Sequence, residues 1–178
     1  YGQALTSDYN NNIYLTGCFS ADVDFEETTL SSSGVLDAFV CKLNQAGSLV
    51  WVDNFGGGAN DYVKSIALNH LNNVYVGGNF RGTIAKDNLS GTKNSKNFTN
   101  DFFIAKYQSN GDFGYLENMG GEKHDYQTAL FTDNSNLIYF AGYFSKNCDI
   151  SNKSVNSTED KHYILTQLYD CDFSKKVD

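Results

Sequence analysis

Proline is missing from all 178 residues. At an average usage near 5%, roughly nine would be expected. No apolar run approaches the roughly 18 residues that a membrane-spanning helix needs, and the first residues show no secretory-signal pattern. The four cysteines, Cys18, Cys41, Cys148 and Cys171, include no CxxC pair and have no zinc-ligand spacing with His70, His124 and His162. A calcium loop of the D-x-[DN]-x-[DN]-G type is absent, and Asp22-Val23-Asp24 is only a partial echo of one. There is no G-x-S-x-G, and no histidine shares a motif with a serine or cysteine, so a nucleophile with a base in reach is not visible. Basic residues are the minority, 13 Lys and Arg against 21 Asp and Glu, giving a net charge of −8. That balance argues against nucleic acid and anionic membrane as partners. No catalytic, metal or cofactor site is expected from these patterns.

Asparagine and glycine fill the gap that proline leaves, as in Asn10-Asn11-Asn12 and Asn72-Asn73. Asn tolerates the left-handed backbone of tight turns, so the turns are expected to be built from Asn and Gly. With 40% hydrophobic and 15% aromatic residues, the chain has the composition of a folded domain with a real core.

A repeat organises these residues. GGGANDYVKSIALNHLNNVYVGGNF, residues 56–80, matches GGEKHDYQTALFTDNSNLIYFAGYF, residues 120–144, at a constant offset of 64. Gly56/Gly120, Gly57/Gly121, Asp61/Asp125, Tyr62/Tyr126, Tyr75/Tyr139, Gly78/Gly142 and Phe80/Phe144 are among the identities. A third copy at the N-terminus, offset by 61, places Tyr1, Tyr14, Gly17 and Phe19 opposite Tyr62, Tyr75, Gly78 and Phe80. DAFVCKLNQAGSLVW at 37–51 matches DFFIAKYQSNGDFGY at 101–115, with HYILTQLYDCDFSKK at 162–176 as a weaker third version. A fixed period of this size calls for a repeat architecture. The units are approximately 1–58, 59–122 and 123–178.

Within the middle unit, YVKSIALN reads as a first strand and VYVGG as a second, buried on both faces. DFFIAKYQ and FGYLENM read as the third and fourth, with turns at 70–73 and 109–112. The polar stretch 86–100 reads as a loop, as does 151–160 in the last unit. Four short antiparallel strands with a period near 60 residues make a β-propeller blade. The expected fold is all-β: about three blades of a propeller. Small residues at Ala4, Ser65 and Ala129 suit a crowded innermost strand, and Gly17, Gly78 and Gly142 imply a bulge or a close backbone approach.

The motifs D-x-F-V-x-K-L-x-x-x-G (Asp37, Phe39, Val40, Lys42, Leu43, Gly47), G-G-x-x-x-D-Y (Gly56, Gly57, Asp61, Tyr62) and N-N-V-Y-V-x-G (72–78) resemble the SBBP-type β-propeller repeat of bacterial proteins. The last copy departs from this pattern, with His162, Ile164, Gln167 and Asp172 in place of Asp, Phe, Lys and Gly. The resemblance implies a secreted or cell-surface bacterial protein and no single activity. Three units fall short of the four to eight blades of a propeller, and Tyr1 lacks its Gly-Gly-Asp prelude. The expectation is part of a longer chain or of a larger complex.

Asp37, Asp61, Asp101 and Asp125 recur, which favours turn chemistry over ligand binding. Glu26-Glu27 is expected to be solvated. Tyr14, Tyr75 and Tyr139 recur and are expected in the core, whereas Trp51 and Tyr143 occur once and are freer to meet a ligand. His124 and His162 are likewise unmatched in the other units. Glycosylation sequons begin at Asn88, Asn97, Asn152 and Asn156, in the inter-strand loops where a repeat scaffold carries its specificity. Cys18 and Cys41 fall on neighbouring strands, near enough for one disulfide, with free thiols as the alternative. Cys148 and Cys171 fall at opposite ends of a strand pair and are not expected to bridge. The reading is a non-catalytic binding or scaffold module, meeting a protein or glycan at its loops or blade edges. The alternatives are a propeller enzyme acting on glycans and a structural subunit of an envelope complex.

Overall fold

The computed structural model describes residues 1–86, 92–150, 153–159 and 161–170. The first sheet contains β1 (Gly2–Ser7) and β2 (Ile13–Phe19). A small hairpin of β3 (Asp22–Phe25) and β4 (Thr28–Ser31) follows, and β5 (Asp37–Leu43) and β6 (Leu49–Phe55) complete the sheet in the order β1-β2-β5-β6. The second repeats this with β7 (Tyr62–Leu68), β8 (Val74–Arg81), the hairpin β9 (Thr83–Ile84) and β10 (Lys93–Asn94), then β11 (Asn100–Tyr107) and β12 (Phe113–Met119). The third has β13 (Tyr126–Thr132), β14 (Leu137–Phe144), the hairpin β15 (Asn147–Ile150) and β16 (Lys153–Asn156), and β17 (His162–Tyr169). All ladders within the sheets are antiparallel. These are propeller blades, as the repeat predicts. The fourth strand expected of the last blade, with Cys171 and Asp172, lies outside the described residues. No helix of the described chain is long and apolar enough to cross a membrane.

The first hairpin of each blade shows why Asn can replace Pro. Asn11, Asn72 and Asn136 take positive φ of 58°, 58° and 62° at equivalent positions. Asp8, Asn69 and Asp133, three residues earlier, lock the same turn. Asp8 Oδ1 accepts from the N–H groups of Asn10 and Asn12 at 2.9 and 3.0 Å, and Asn69 and Asp133 do likewise in their own units. The carboxamide or carboxylate thus replaces backbone partners that the turn leaves unmade.

Each first strand carries a bulge at the same place, at Gln3, Lys64 and Thr128. The bulge folds the strand back over the second-strand glycine. A Cβ on Gly17 would lie 2.1 Å from the Tyr1 carbonyl, and one on Gly78 2.0 Å from that of Tyr62. The expected close backbone approach is therefore present. Strands β1, β7 and β13 lie side by side at one edge of the array, as innermost strands should.

The stretches 86–100 and 151–160 differ from the open loops that their polarity suggests. Where described, they contribute β10 and β16, which close hairpins onto β9 and β15. Strands of two to four residues, mostly polar, are too short to show a period.

Two of the three core clusters lie between blades, and the third lies within the first blade, where Phe19, Leu30, Phe39 and Cys41 are buried beside the β3–β4 hairpin. Tyr14, Cys18, Ala38, Val40 and Phe55 of the first blade pack on Val76, Phe80, Phe103 and Tyr107 of the second. Tyr75, Phe102 and Ile104 on the other face of the second pack on Leu130, Ile138, Phe140 and Phe144 of the third. Sheet alternation also disposes of the disulfide. Cys18 is opposite Ala38 and Cys41 opposite Leu15, so the two thiols stand on opposite faces of their sheet. Cys18, Cys41 and Cys148 are free and buried. Burial pushes all three thiols up, Cys41 to about 11, which keeps them protonated and unreactive.

Candidate interaction surface

The recurring aspartates sit at the blade junctions and are fully buried. Gly57 N–H donates to Asp61 Oδ2 at 2.7 Å, and Gly121 N–H to Asp125 Oδ2 at 2.6 Å. Ser33 N–H donates to Asp37 at 2.7 Å and Lys96 N–H to Asp101 at 3.1 Å. This is the turn role expected of them. Among the described residues, Oδ1 of Asp37, Asp61 and Asp101 meets no hydrogen-bond partner. Burial accordingly pushes Asp61 up to about 8, with the nearby Asp37 charge adding to the effect and the Gly57 N–H opposing it. Asp101 and Asp125 rise to about 7, again chiefly through burial, and Asp37 rises for the same reason.

The double glycine completes each junction. Gly56 exchanges backbone hydrogen bonds with Ala85 of the next blade, both 2.9 Å, and Gly120 pairs with Asp149 in the same way. A Cβ on Gly57 would lie 1.7 Å from the Thr83 carbonyl, and on Gly121 the same distance from that of Asn147. The motif G-G-x-x-x-D-Y is therefore blade-joining machinery.

The other candidates separate cleanly. Trp51 stacks on Tyr107 of the next blade, rings 5.9 Å apart, and its indole N–H donates to the Ser109 carbonyl at 3.3 Å. It is a partly buried inter-blade wedge. His124 accepts from Asn100 N–H at 3.1 Å, and His162 lies against the Phe144 ring. Glu26 and Glu27 are exposed, as expected; Glu26 accepts from Leu49 N–H at 2.8 Å and ties its hairpin to β6, and Asp24 accepts from the Thr29 hydroxyl at 2.7 Å within the hairpin. The Asn97 and Asn156 sequons are exposed; those at Asn88 and Asn152 lie outside the described residues. Among the described residues, no group of three or more His, Cys, Asp or Glu is placed to hold a metal ion. A shallow polar depression lined by Glu122, Lys146, Asn147, Asn156, Ser157 and Thr158 holds no such chemistry either.

What remains is the outer face of the third blade. Tyr126, Tyr143 and Tyr163 form a ladder with centroids 5.2 and 6.2 Å apart, and His124 stacks beside Tyr126 at 6.1 Å. Lys161 Nζ stands 4.0 Å over the Tyr143 ring and 5.5 Å over Tyr163. Phe131, Tyr163 and Leu165 are 63%, 71% and 77% exposed on this blade. Tyr143, half-buried like Trp51, is the single-copy aromatic that stands in this ladder. Tyr139 departs from expectation. Tyr14 and Tyr75 are fully buried, while Tyr139 is half-buried; among the described residues no blade packs on that side. Tyrosines on a surface of this kind carry much of the energy of protein interfaces.

No family model matches the chain. Among curated proteins it is similar to an uncharacterised WD repeat-containing protein of Acanthamoeba polyphaga mimivirus, 24% identical over 171 residues that cover 80% of this chain. The chain is a β-propeller-type repeat protein. It spans about an eighth (12%) of the length of that viral relative.

Proposed function

We propose that the chain is a non-catalytic, propeller-type protein-interaction module. The observation that carries this is the open tyrosine face of the third blade, with Lys161 laid across Tyr143 and Tyr163. The WD repeat likeness supports the same reading, since it adds a repeat scaffold and no chemistry. An enzyme would need acidic or histidine side chains converging at the innermost strands. Strands β1, β7 and β13 read GQALTS, YVKSIAL and YQTALFT, with neither acid nor histidine. A secreted or cell-surface bacterial setting is supported by the SBBP-type motifs alone, and a glycan partner by the aromatic side chains alone.

The test is affinity purification from the source cells with the wild-type chain and a Tyr143→Ser/Tyr163→Ser variant, read by quantitative mass spectrometry beside a glycan array. Proteins captured by the wild type and lost with the variant are the expected result. Glycan binding or glycan turnover without protein capture would overturn the reading.

A further inference from the structure

The two blade junctions are built alike but balanced differently. At the second, the N–H of Lys96 donates to Asp101 Oδ2 at 3.1 Å, and its ammonium draws both Asp101 and Asp125 down against the effect of burial. Asp125 Oδ1 also accepts from Ser145 N–H at 3.3 Å. At the first junction Ser33 gives the corresponding N–H, to Asp37 Oδ2 at 2.7 Å, and brings no charge. Among the described residues no lysine or arginine is paired with Asp37 or Asp61.

Those two carboxyls nevertheless lie side by side. A parallel bridge joins Leu36 to Asn60, and Asp61 N–H donates to the Leu36 carbonyl at 2.8 Å. Both carboxyls meet the same pair of glycines. Asp37 Oδ1 lies 2.6 Å from where a Cβ on Gly56 would be, and Asp61 Oδ2 accepts from Gly57 N–H. Each side chain is fully buried and engages Oδ2, and each leaves Oδ1 without a partner among the described residues. The N–H groups of Gly34 and Arg81 act on these carboxyls, but neither completes a hydrogen bond to Oδ1. Oδ1 of Asn60, at the bridge itself, is buried and unpartnered too.

Buried carboxylate oxygens without donors are costly unless something positive meets them. The unpartnered atoms here are all oxygens, two of them from carboxylates, which is the donor set of a hard cation. Burial selects among such cations. Calcium accepts a shell of protein oxygens, whereas magnesium keeps several of its waters. We propose that the first blade junction is a calcium site, held by Oδ1 of Asp37 and Oδ1 of Asp61, where the ion does what Lys96 does at the second junction. Oδ1 of Asn60 and the carbonyls of the two loops are the oxygens at hand for the rest of the shell. Two acidic ligands make a site of the weak class, filled at roughly 0.1–1 mM calcium. In the metal-free chain a proton on the pair takes the ion's place. Because the ligands come from two blades, the ion is bound as the junction closes, and its binding adds to the stability of the fold. The site is independent of the tyrosine face.

The test is thermal unfolding of the purified, EDTA-stripped chain at pH 7.5 and constant ionic strength, with no metal, with millimolar calcium chloride and with millimolar magnesium chloride. Calcium should raise the melting temperature of the wild type by about 3 °C or more, and magnesium by clearly less. Asp61→Asn removes one carboxylate of the first junction and should abolish the calcium shift. Asp125→Asn makes the same change at the second junction and should leave the shift in place. Circular dichroism checks that both variants are folded before they are compared. A wild type whose melting point ignores calcium overturns the proposal. So does a calcium shift that survives Asp61→Asn, or an equal shift with magnesium, since either would mark ions gathered by the acidic surface and not the junction. A shift lost with Asp125→Asn but kept with Asp61→Asn would place the ion at the wrong junction and overturn it as well.

Discussion

At the residue scale, the buried aspartates set the pH response. An acid whose folded pKa lies above its unfolded value binds its proton more tightly when folded. The resulting stability is full below the unfolded value, about 3.9, and is lost as pH rises through the folded one. Asp61 at about 8, and Asp101 and Asp125 at about 7, place that loss between about pH 4 and pH 8. Asp149 acts in the opposite sense: hydrogen bonds from Lys96 and Ser154 hold it below the usual carboxylate range, so its contribution is lost only in stronger acid. The melting temperature should fall by several degrees from pH 5 to pH 8. Asp61→Asn keeps an acceptor for the Gly57 N–H and removes the ionisation, so it should flatten the profile and raise the melting point at pH 8. A wild-type profile that rises across this range would contradict the assignment of these carboxyls as protonated. Glycines give a second residue-scale contrast. Gly57→Ala forces a methyl group onto the Thr83 carbonyl and should cost about 1–3 kcal/mol or more. Gly58→Ala, with nothing within 4 Å of the added carbon, should stay within about 0.5 kcal/mol. Denaturant midpoints of the two variants decide the matter, and equal costs would mean that the inter-blade approach at Gly57 is looser than 1.7 Å suggests.

At the element scale, what the sequence announced and what it hid follow from length and periodicity. The runs of seven or eight residues around VYVGG and DFFIAKY bury both faces, and such β-branched and aromatic runs are legible without a structure. The turns were legible through Asn and Gly, since few other residues tolerate positive φ. The β9–β10 and β15–β16 hairpins were not, because strands of two to four residues carry no measurable alternation. Strand neighbourhood suggested a Cys18–Cys41 bridge, but only register shows that the two thiols face opposite ways. The tyrosine face was half legible. Tyr143 could be picked out because its equivalents, Cys18 and Asn79, are not aromatic. Nothing local could show that those two accept N–H groups from the following blade, Val63 to Cys18 Sγ at 3.3 Å and Gln127 to Asn79 Oδ1 at 3.2 Å, while Tyr143 meets no such blade.

At the scale of the whole molecule, position in the array should determine stability more than sequence does. The larger apolar clusters lie between blades and a smaller one within the first, so stability approaches a sum of blade and junction contributions, as in other repeat proteins. The second blade has two junctions. Its β8 is buried along all but the last residue, and its β11 is buried at six of eight positions. Among the described residues the third blade has one junction, and β17 is buried at a single residue, Leu168. Local opening follows buried apolar contact, so amide exchange should be slowest in β8 and β11 and fastest in β17. The central ladder between β8 and β11 should exchange only with global unfolding, while β17 opens at a small fraction of that free energy. Hydrogen-exchange mass spectrometry, resolved to peptides from the three blades, reads this directly. Uniform protection across the blades would show that the array unfolds as one cooperative unit.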